Sequence, residues 1–427
     1  MKIAFFLRNN NLSDIDFSLL KFGNPGIGGS EYCICQVAYL LSLHHNVYLF
    51  CTEKTKLKNP SSLNLIDTDS VHEMIKYANQ IKIDYLILKD EDEYYQNKDI
   101  ESTPYTKIII WCHNFLSRKK LSYYNNLTSI PRIVCVGNEQ LDFYRDHPAF
   151  YKSCVIYNGL TSTEIQKAIT NTLPFNKRAN IITYIGSLTR PKGFHLLAKQ
   201  WKRIIAKFPD AELYVIGGGN LYNKSQKLGI YNIAEETYEK IFIKYLIDEK
   251  TGKILPSVHF CGVLGSEKNQ ILAISKVGVP NPSGETETFC ITALEMQIYG
   301  CLVTTKRFGG FLDTICSSKS LMYNYTSNLS RNIIKLLSEK DNNIEETISN
   351  INNKFNYDKI ILQWLLMFKE IAQNELPNIS IIRNGYYNNK WIKEILRLTK
   401  NIKIFQKIKP TPQILSIKYY LNKKIYE

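Results

Sequence analysis

Residues 279–310, VPNPSGETETFCITALEMQIYGCLVTTKRFGG, decide how the rest of the chain is read. Glu287 and Glu295 stand eight positions apart and flank an apolar segment that opens with Thr288 and Phe289; Gly300 closes it before the β-rich run CLVTT. The pattern reads as loop, helix and strand. With the helix beginning near Thr288, its free N–H groups and positive dipole end face the residues from Asn281 to Glu287, a setting for an anion such as a diphosphate. At a rise of roughly 1.5 Å per residue the two glutamates lie about 12 Å apart along the axis, comparable to the length of a nucleotide diphosphate sugar. One carboxylate is then expected to hold sugar hydroxyls and the other to accept two hydrogen bonds from a ribose. The spacing alone favours a surface helix with two solvated glutamates, so the flanking residues have to separate the readings.

Those flanking residues are Pro282-Ser283-Gly284 ahead of the first glutamate, Thr288-Phe289 after it, Ala293-Leu294 before the second, and the pair Gly309-Gly310. Together they make the stretch similar to the donor-site signature of retaining, nucleotide-sugar-dependent glycosyltransferases of the GT-B fold, glycosyltransferase family 4. The resemblance covers about residues 1–375. It implies an α/β chain with two Rossmann-like domains facing a central cleft, an acceptor-side domain over 1–165 and a nucleotide-sugar donor domain over 166–375. It also implies sugar transfer to a glycan or lipid-linked acceptor with retention, without a metal and with the nucleotide sugar as co-substrate rather than a cofactor. Bacterial surface polysaccharide or lipopolysaccharide assembly is the setting it suggests.

The chain in order fits two similar halves. KIAFFL opens as a strand and leads to Gly26-Ile27-Gly28-Gly29-Ser30-Glu31, after which YCICQVAYLLSLHH has helical periodicity and NVYLFC returns as a strand. A dinucleotide fingerprint would need a glycine where Glu31 stands. In the family, a Gly-Gly pair here, Gly28 and Gly29, packs against the donor, because residues without a Cβ let the backbone approach closely. IKIDYLILK and YTKIIIW read as buried parallel strands, and the second runs into His113, at the carboxyl end of a strand where ligands of open α/β sheets collect. The family carries a histidine at such a place against the donor sugar. PRIVCVG and CVIYNG complete the first half, and the polar stretch 161–179 reads as a linker.

ANIITYIG restarts the pattern, followed by the loop Gly186–Gly193, a helix over FHLLAKQWKRIIAKF and the strand AELYVIGGG. Arg190 and Lys192 are expected to converge on the cleft beside Glu287 and neutralise a leaving diphosphate. Lys192 keeps the family spacing; Ser187 stands where the family has an arginine, so Arg190 either replaces that residue or does not. A helical excursion is expected over 221–255, VHFCGVLG is read as the strand and turn beside the nucleotide base, and DKIILQWLLMFKEIA as a helix packing across both domains. The candidate site is therefore His113 and Glu287 as catalytic residues, with Gly28, Gly29, Arg190, Lys192, Thr288, Phe289 and Glu295 binding donor and nucleotide.

Composition narrows the alternatives. At 427 residues the chain exceeds one hydrophobic core, and 44% hydrophobic with 22% charged residues is ordinary for a globular protein. No uninterrupted run of about 20 apolar residues occurs, and the start has no signal-peptide pattern, so a cytoplasmic enzyme is expected. The ten cysteines are scattered, mostly inside apolar runs, and read as reduced core residues. Residues 381–427 hold eleven Lys or Arg against two Glu, about nine of the fifteen excess positive charges, so the body is much nearer neutral. Within this basic extension, 376–427, Trp391, Ile395, Leu398, Ile402 and Phe405 form one helical stripe opposite Lys393, Arg397, Lys400 and Lys407. Either a packed helix or an interfacial helix lying on an anionic inner membrane surface through 386–427 fits that pattern. Asp67-Thr68-Asp69 is a D-x-D, the carboxylate pair of metal-dependent glycosyltransferases, but sits in a polar loop far in sequence from the other motifs. A nucleic-acid-binding protein, suggested by net charge, lacks any helix-turn-helix, zinc-finger or aromatic-basic motif. A non-catalytic nucleotide-sugar-binding subunit remains the alternative from another class.

Overall fold

The structure is a computed structural model and describes residues 1–9, 11–12, 14–60, 62–68, 70–219, 227–377, 395 and 398–399. The amphipathic stripe of the extension, apart from Ile395 and Leu398, lies outside the described residues, as does Asp69.

Two parallel sheets organise the chain. The first contains β1 (Lys2–Leu7), β2 (Asn46–Cys51), β3 (Leu63–Asp67), β4 (Tyr85–Lys89), β5 (Lys107–Cys112), β6 (Arg132–Cys135) and β7 (Ser153–Val155), in the order β3-β2-β1-β4-β5-β6-β7. The second contains β8 (Ile181–Ile185), β9 (Glu212–Ile216), β10 (Val258–Gly262), β11 (Val277–Gly278), β12 (Leu302–Lys306) and β13 (Leu321–Tyr323), in the order β10-β9-β8-β11-β12-β13. Each order reverses once, between β1 and β4 and between β8 and β11, and a doubly wound sheet opens a ligand crevice at such a switch point. The central strands read as continuous apolar runs because both faces are covered. In β1, Ile3, Phe5 and Leu7 join one buried cluster, and Ala4 and Phe6 join another on the opposite face.

The first of those clusters also holds Phe289, Leu294 and Trp364, so the largest apolar core lies where the two domains meet, and each sheet has a second core on its outer side. Thr161 and Glu164 form a reciprocal capping box that starts the helix α1 (Ser162–Asn171), so the segment read as a polar linker is largely helical. The strand β3 is likewise absent from the sequence reading: it sits at the sheet edge, its residues are only partly covered, and Asp67 ends it rather than lying in a loop. The long helix expected over 194–208 is two short ones, Phe194–Ala198 and Trp201–Lys207, separated by a turn.

The last described long helix, α2 (Tyr357–Ala372), returns to the first sheet. Trp364 meets Trp111 edge-on at 4.9 Å between ring centres and Phe5 at 6.4 Å, and Tyr85 stacks on Phe368 at 4.7 Å. Just before it, the Leu160 N–H donates to the Phe355 carbonyl at 2.8 Å and the Tyr357 N–H to the Leu160 carbonyl at 3.0 Å, which pins the crossing. Among the described residues no helix is long and apolar enough to cross a membrane.

Candidate functional site

Loops at the carboxyl ends of β1, β5, β8, β9 and β11 converge on a cleft of about 320 Å³ between the domains. The loop after β11 has an unusual backbone. Asn281, Thr286 and Cys290 take φ of 36°, 56° and 71°, a left-handed region that side chains rarely adopt and that is maintained only where surrounding contacts enforce it. Gly309-Gly310 close tightly on this loop: the Gly310 N–H donates to the Glu287 carbonyl at 3.0 Å, and a Cβ on Gly310 would stand 2.2 Å from the Phe289 nitrogen.

This loop delays the helix. It begins at Ile291, with Cys290 at its N-cap, and runs to Ile298, not from near Thr288 as the apolar pattern suggests. Residues 287–290 are therefore not a helical turn, and the axial distance of about 12 Å does not apply to the two glutamates. The helix N-terminus nonetheless opens on the cleft, which is lined by Thr286, Glu287, Thr288, Phe289, Cys290, Ile291 and Thr292.

Glu287 is buried, and its Oε2 accepts from Lys192 Nζ at 2.9 Å and Asn281 Nδ2 at 2.8 Å. Burial pushes its carboxyl upward, but the Lys192 charge and these two donors outweigh it and hold the group below its ordinary value. Lys192 reaches this place because Gly193 turns the chain in the left-handed region at φ 73°, where a Cβ would press on the Ser283 nitrogen at 2.7 Å.

Arg190 does not converge with Lys192. The two occupy one 3₁₀ turn, where residues two apart project about 120° from each other. Arg190 is exposed, is not among the cleft-lining residues, and acts on His195, whose pKa burial and this arginine lower together. Ser187, standing where the family carries arginine, lines the cleft itself.

Across the cleft, His113 follows β5. Its Nε2 is buried without a hydrogen-bond partner, its ring lies 4.5 Å from that of Trp111, and its carbonyl accepts from Thr288 Oγ1 at 2.7 Å, joining the two domains. Burial, with the Lys89 charge, lowers its pKa to about 3, so the imidazole is neutral at physiological pH. Lys89 is in turn paired with the half-buried Glu31 at 2.6 Å. Gly29 lines the cleft, and a Cβ there would meet nothing nearer than Ile291 at 3.9 Å. Gly28 is the N-cap of the helix Gly29–Ser42 and is not in the lining, so one glycine of the pair, not both, lines the cleft.

Glu295 also lines the cleft, but it forms a buried ion pair with Lys268 at 3.2 Å. Sequence reasoning missed Lys268, Asn281 and Asp313. Asp313 accepts from Tyr157 Oη at 2.9 Å, Asn138 Nδ2 at 3.0 Å and the Glu139 N–H at 3.3 Å, a second tie between domains. Asn281 lies within the quoted stretch and is legible as a turn residue; Lys268 and Asp313 have no local signature.

Residues 165–355 match the family model described as Glycosyl transferases group 1. No curated protein sequence matches. Among solved structures, sucrose-phosphate synthase from Thermosynechococcus elongatus superposes with a TM-score of 0.62 at 14% identity, covering 88% of this chain and 100% of that one. The Anabaena protein Alr3699/HepE in complex with UDP-glucose gives 0.58 at 14% identity over 88% and 100%. The apo lipopolysaccharide outer core galactosyltransferase WaaB gives 0.55 at 14% identity over 87% and 100%. The fold is GT-B. Within a GT-B frame the cleft described above is the interdomain crevice, and the glycosyl transferases group 1 match contains Lys192, Lys268, Glu287 and Glu295.

Proposed function

We propose that this GT-B protein is a glycosyltransferase that moves a sugar from a nucleotide-sugar donor to a glycan or lipid-linked acceptor with retention of anomeric configuration. The observation that carries the reading is the Lys192–Glu287 pair beside the helix N-terminus at Ile291, inside the interdomain cleft. A diphosphate entering there meets a cation and the positive end of a helix, while Glu287 is left to accept from sugar hydroxyls. Neutral His113 lines the same space, and its buried, unpartnered Nε2 suits a neutral hydrogen-bond partner rather than a charge. Thr288, Phe289 and Gly29 shape the wall the donor sugar would face, and Glu295 is read as the ribose acceptor.

The similar Anabaena protein was solved with UDP-glucose, and WaaB is a lipopolysaccharide outer core galactosyltransferase; these two neighbours support a nucleotide-sugar donor and a surface-polysaccharide setting. We further propose that leaving-group charge is met by Lys192 and the helix end and not by a divalent cation; Asp67 is engaged by the Lys54 N–H at 2.6 Å, at the end of an edge strand. The extension 386–427 is proposed to lie on anionic inner-membrane lipid, beside a cytoplasmic active site.

A thermal-shift screen against nucleoside diphosphates and nucleotide sugars, followed by NMR of the anomeric proton on the sugar released by slow donor hydrolysis, tests the reading. Stabilisation by one nucleotide family, retained configuration and turnover that survives EDTA are expected. Binding without any turnover would favour the non-catalytic subunit, and loss in EDTA restored by manganese would remove the metal-independent part.

A further inference from the structure

Lys268 begins the helix Lys268–Ile274 and is 5% exposed, yet its ammonium lies at the cleft. A buried lysine needs partners for its charge and its three donors. Here they come from both domains: the Glu295 carboxylate at 3.2 Å and the Asn24 carbonyl at 3.3 Å. Asn24 is itself a turn organiser, its Oδ1 accepting from the Gly26 and Ile27 N–H groups at 2.9 Å each, and both of those residues line the cleft. Glu295, 3% exposed, receives no hydrogen bond from the described chain besides this ion pair, so its remaining acceptor capacity is uncommitted. A second carboxyl belongs to the same group. Glu164 is raised to about 7, first by burial and then by the charge of Glu295, with Lys268 drawing it back.

We infer that Lys268 is a positioning residue for nucleotide recognition: it holds Glu295 aimed at a vicinal diol and couples that grip to the glycine loop through Asn24. The inference rests on the functional reading above, in which Glu295 meets a ribose. Without the ammonium, Glu295 keeps the Glu164 carboxyl as a neighbour but loses its counter-charge and turns toward water, and the diol loses its acceptor.

The test uses the full chain and calorimetric titration with UDP, GDP and ADP, then with the 2′,3′-dideoxy form of whichever binds. The parent protein should prefer the ordinary nucleotide by roughly 10- to 100-fold, the range of one or two hydrogen bonds to a charged acceptor. Lys268→Met should weaken the ordinary nucleotide about tenfold, leave the dideoxy form unchanged and so collapse the preference. In a Glu295→Gln background the same substitution should cost nothing further. If Lys268→Met fails to fold, Lys268→Gln, shorter but still a donor, carries the comparison. Undiminished preference in the variant, or equal weakening of both forms, overturns the inference while leaving the functional reading intact. A parent protein that binds none of the three nucleotides overturns both.

Discussion

Taking the cation away from Glu287 probes the centre of the site. Lys192→Met keeps most of the side-chain volume and leaves a buried carboxylate bonded to Asn281. Losing one partner of a buried pair costs about 3–5 kcal/mol, and a hydrogen bond to a charged group contributes about 1.5–3 kcal/mol. The Lys192 side chain is 29% exposed, so solvent screens part of the interaction and the expected destabilisation is about 2 kcal/mol at neutral pH. Its pH dependence has a definite sign. In the parent protein the folded pKa of Glu287 lies below the ordinary 4.5, so its contribution is present above 4.5 and is lost as pH falls through the lower folded value. In the variant, burial acts without the lysine and carries the folded pKa above 4.5; the carboxylate then destabilises at neutral pH, and protonation relieves it as pH falls. Urea denaturation of both proteins should show a gap widest near about pH 7 and closing toward about pH 4. A gap of constant size, or none at neutral pH, would refute the assignment of Lys192 as the group that holds Glu287 ionised.

Three other perturbations have expected outcomes. Gly310→Ala places a methyl 2.2 Å from the Phe289 nitrogen, so it should lower stability by about 1–3 kcal/mol and weaken nucleotide binding together, as thermal denaturation and titration will read. Trp364→Ala, 0% exposed against Trp111 and Phe5, should cost about 3–5 kcal/mol in denaturant unfolding. The His113 ring signals in NMR should not titrate between about pH 5 and 8, since its folded pKa is about 3. Because the unfolded chain takes up this proton near 6.5 and the folded one does not, stability should be lost as pH falls below 6.5, and His113→Phe should flatten that slope.

Most of the architecture was legible because central parallel strands buried on both faces are unmistakable apolar runs, as KIAFFL and YTKIIIW show. The edge strand LNLID was not, since half-covered residues carry a weak pattern. Glu287, Lys192 and Thr288 were found from local motifs and do share the cleft. The helix start was misplaced by three residues because the chain takes left-handed backbone at Thr286 and Cys290, in a loop packed against the sequence-distant Gly309 and Gly310, and no local propensity announces that. Lys268 was invisible for a related reason: a cation becomes a site residue through its partner, and Glu295 lies a full helix and strand away.

The return of Tyr357–Ala372 to the first sheet also sets a timetable for synthesis. The seven strands of that sheet are complete once Val155 has been made, and the helix Gly29–Ser42 already packs on the same side, but the aromatic group of Phe5, Tyr85 and Trp111 lacks part of its cover until Trp364 and Phe368 leave the ribosome. That is roughly 200 residues later, about 10–40 s at typical elongation rates. Through that interval the nascent chain carries an open apolar surface that chaperones recognise. Truncation or a stalled ribosome before residue 357 would therefore strand the first domain, and not only the second, in an aggregation-prone form.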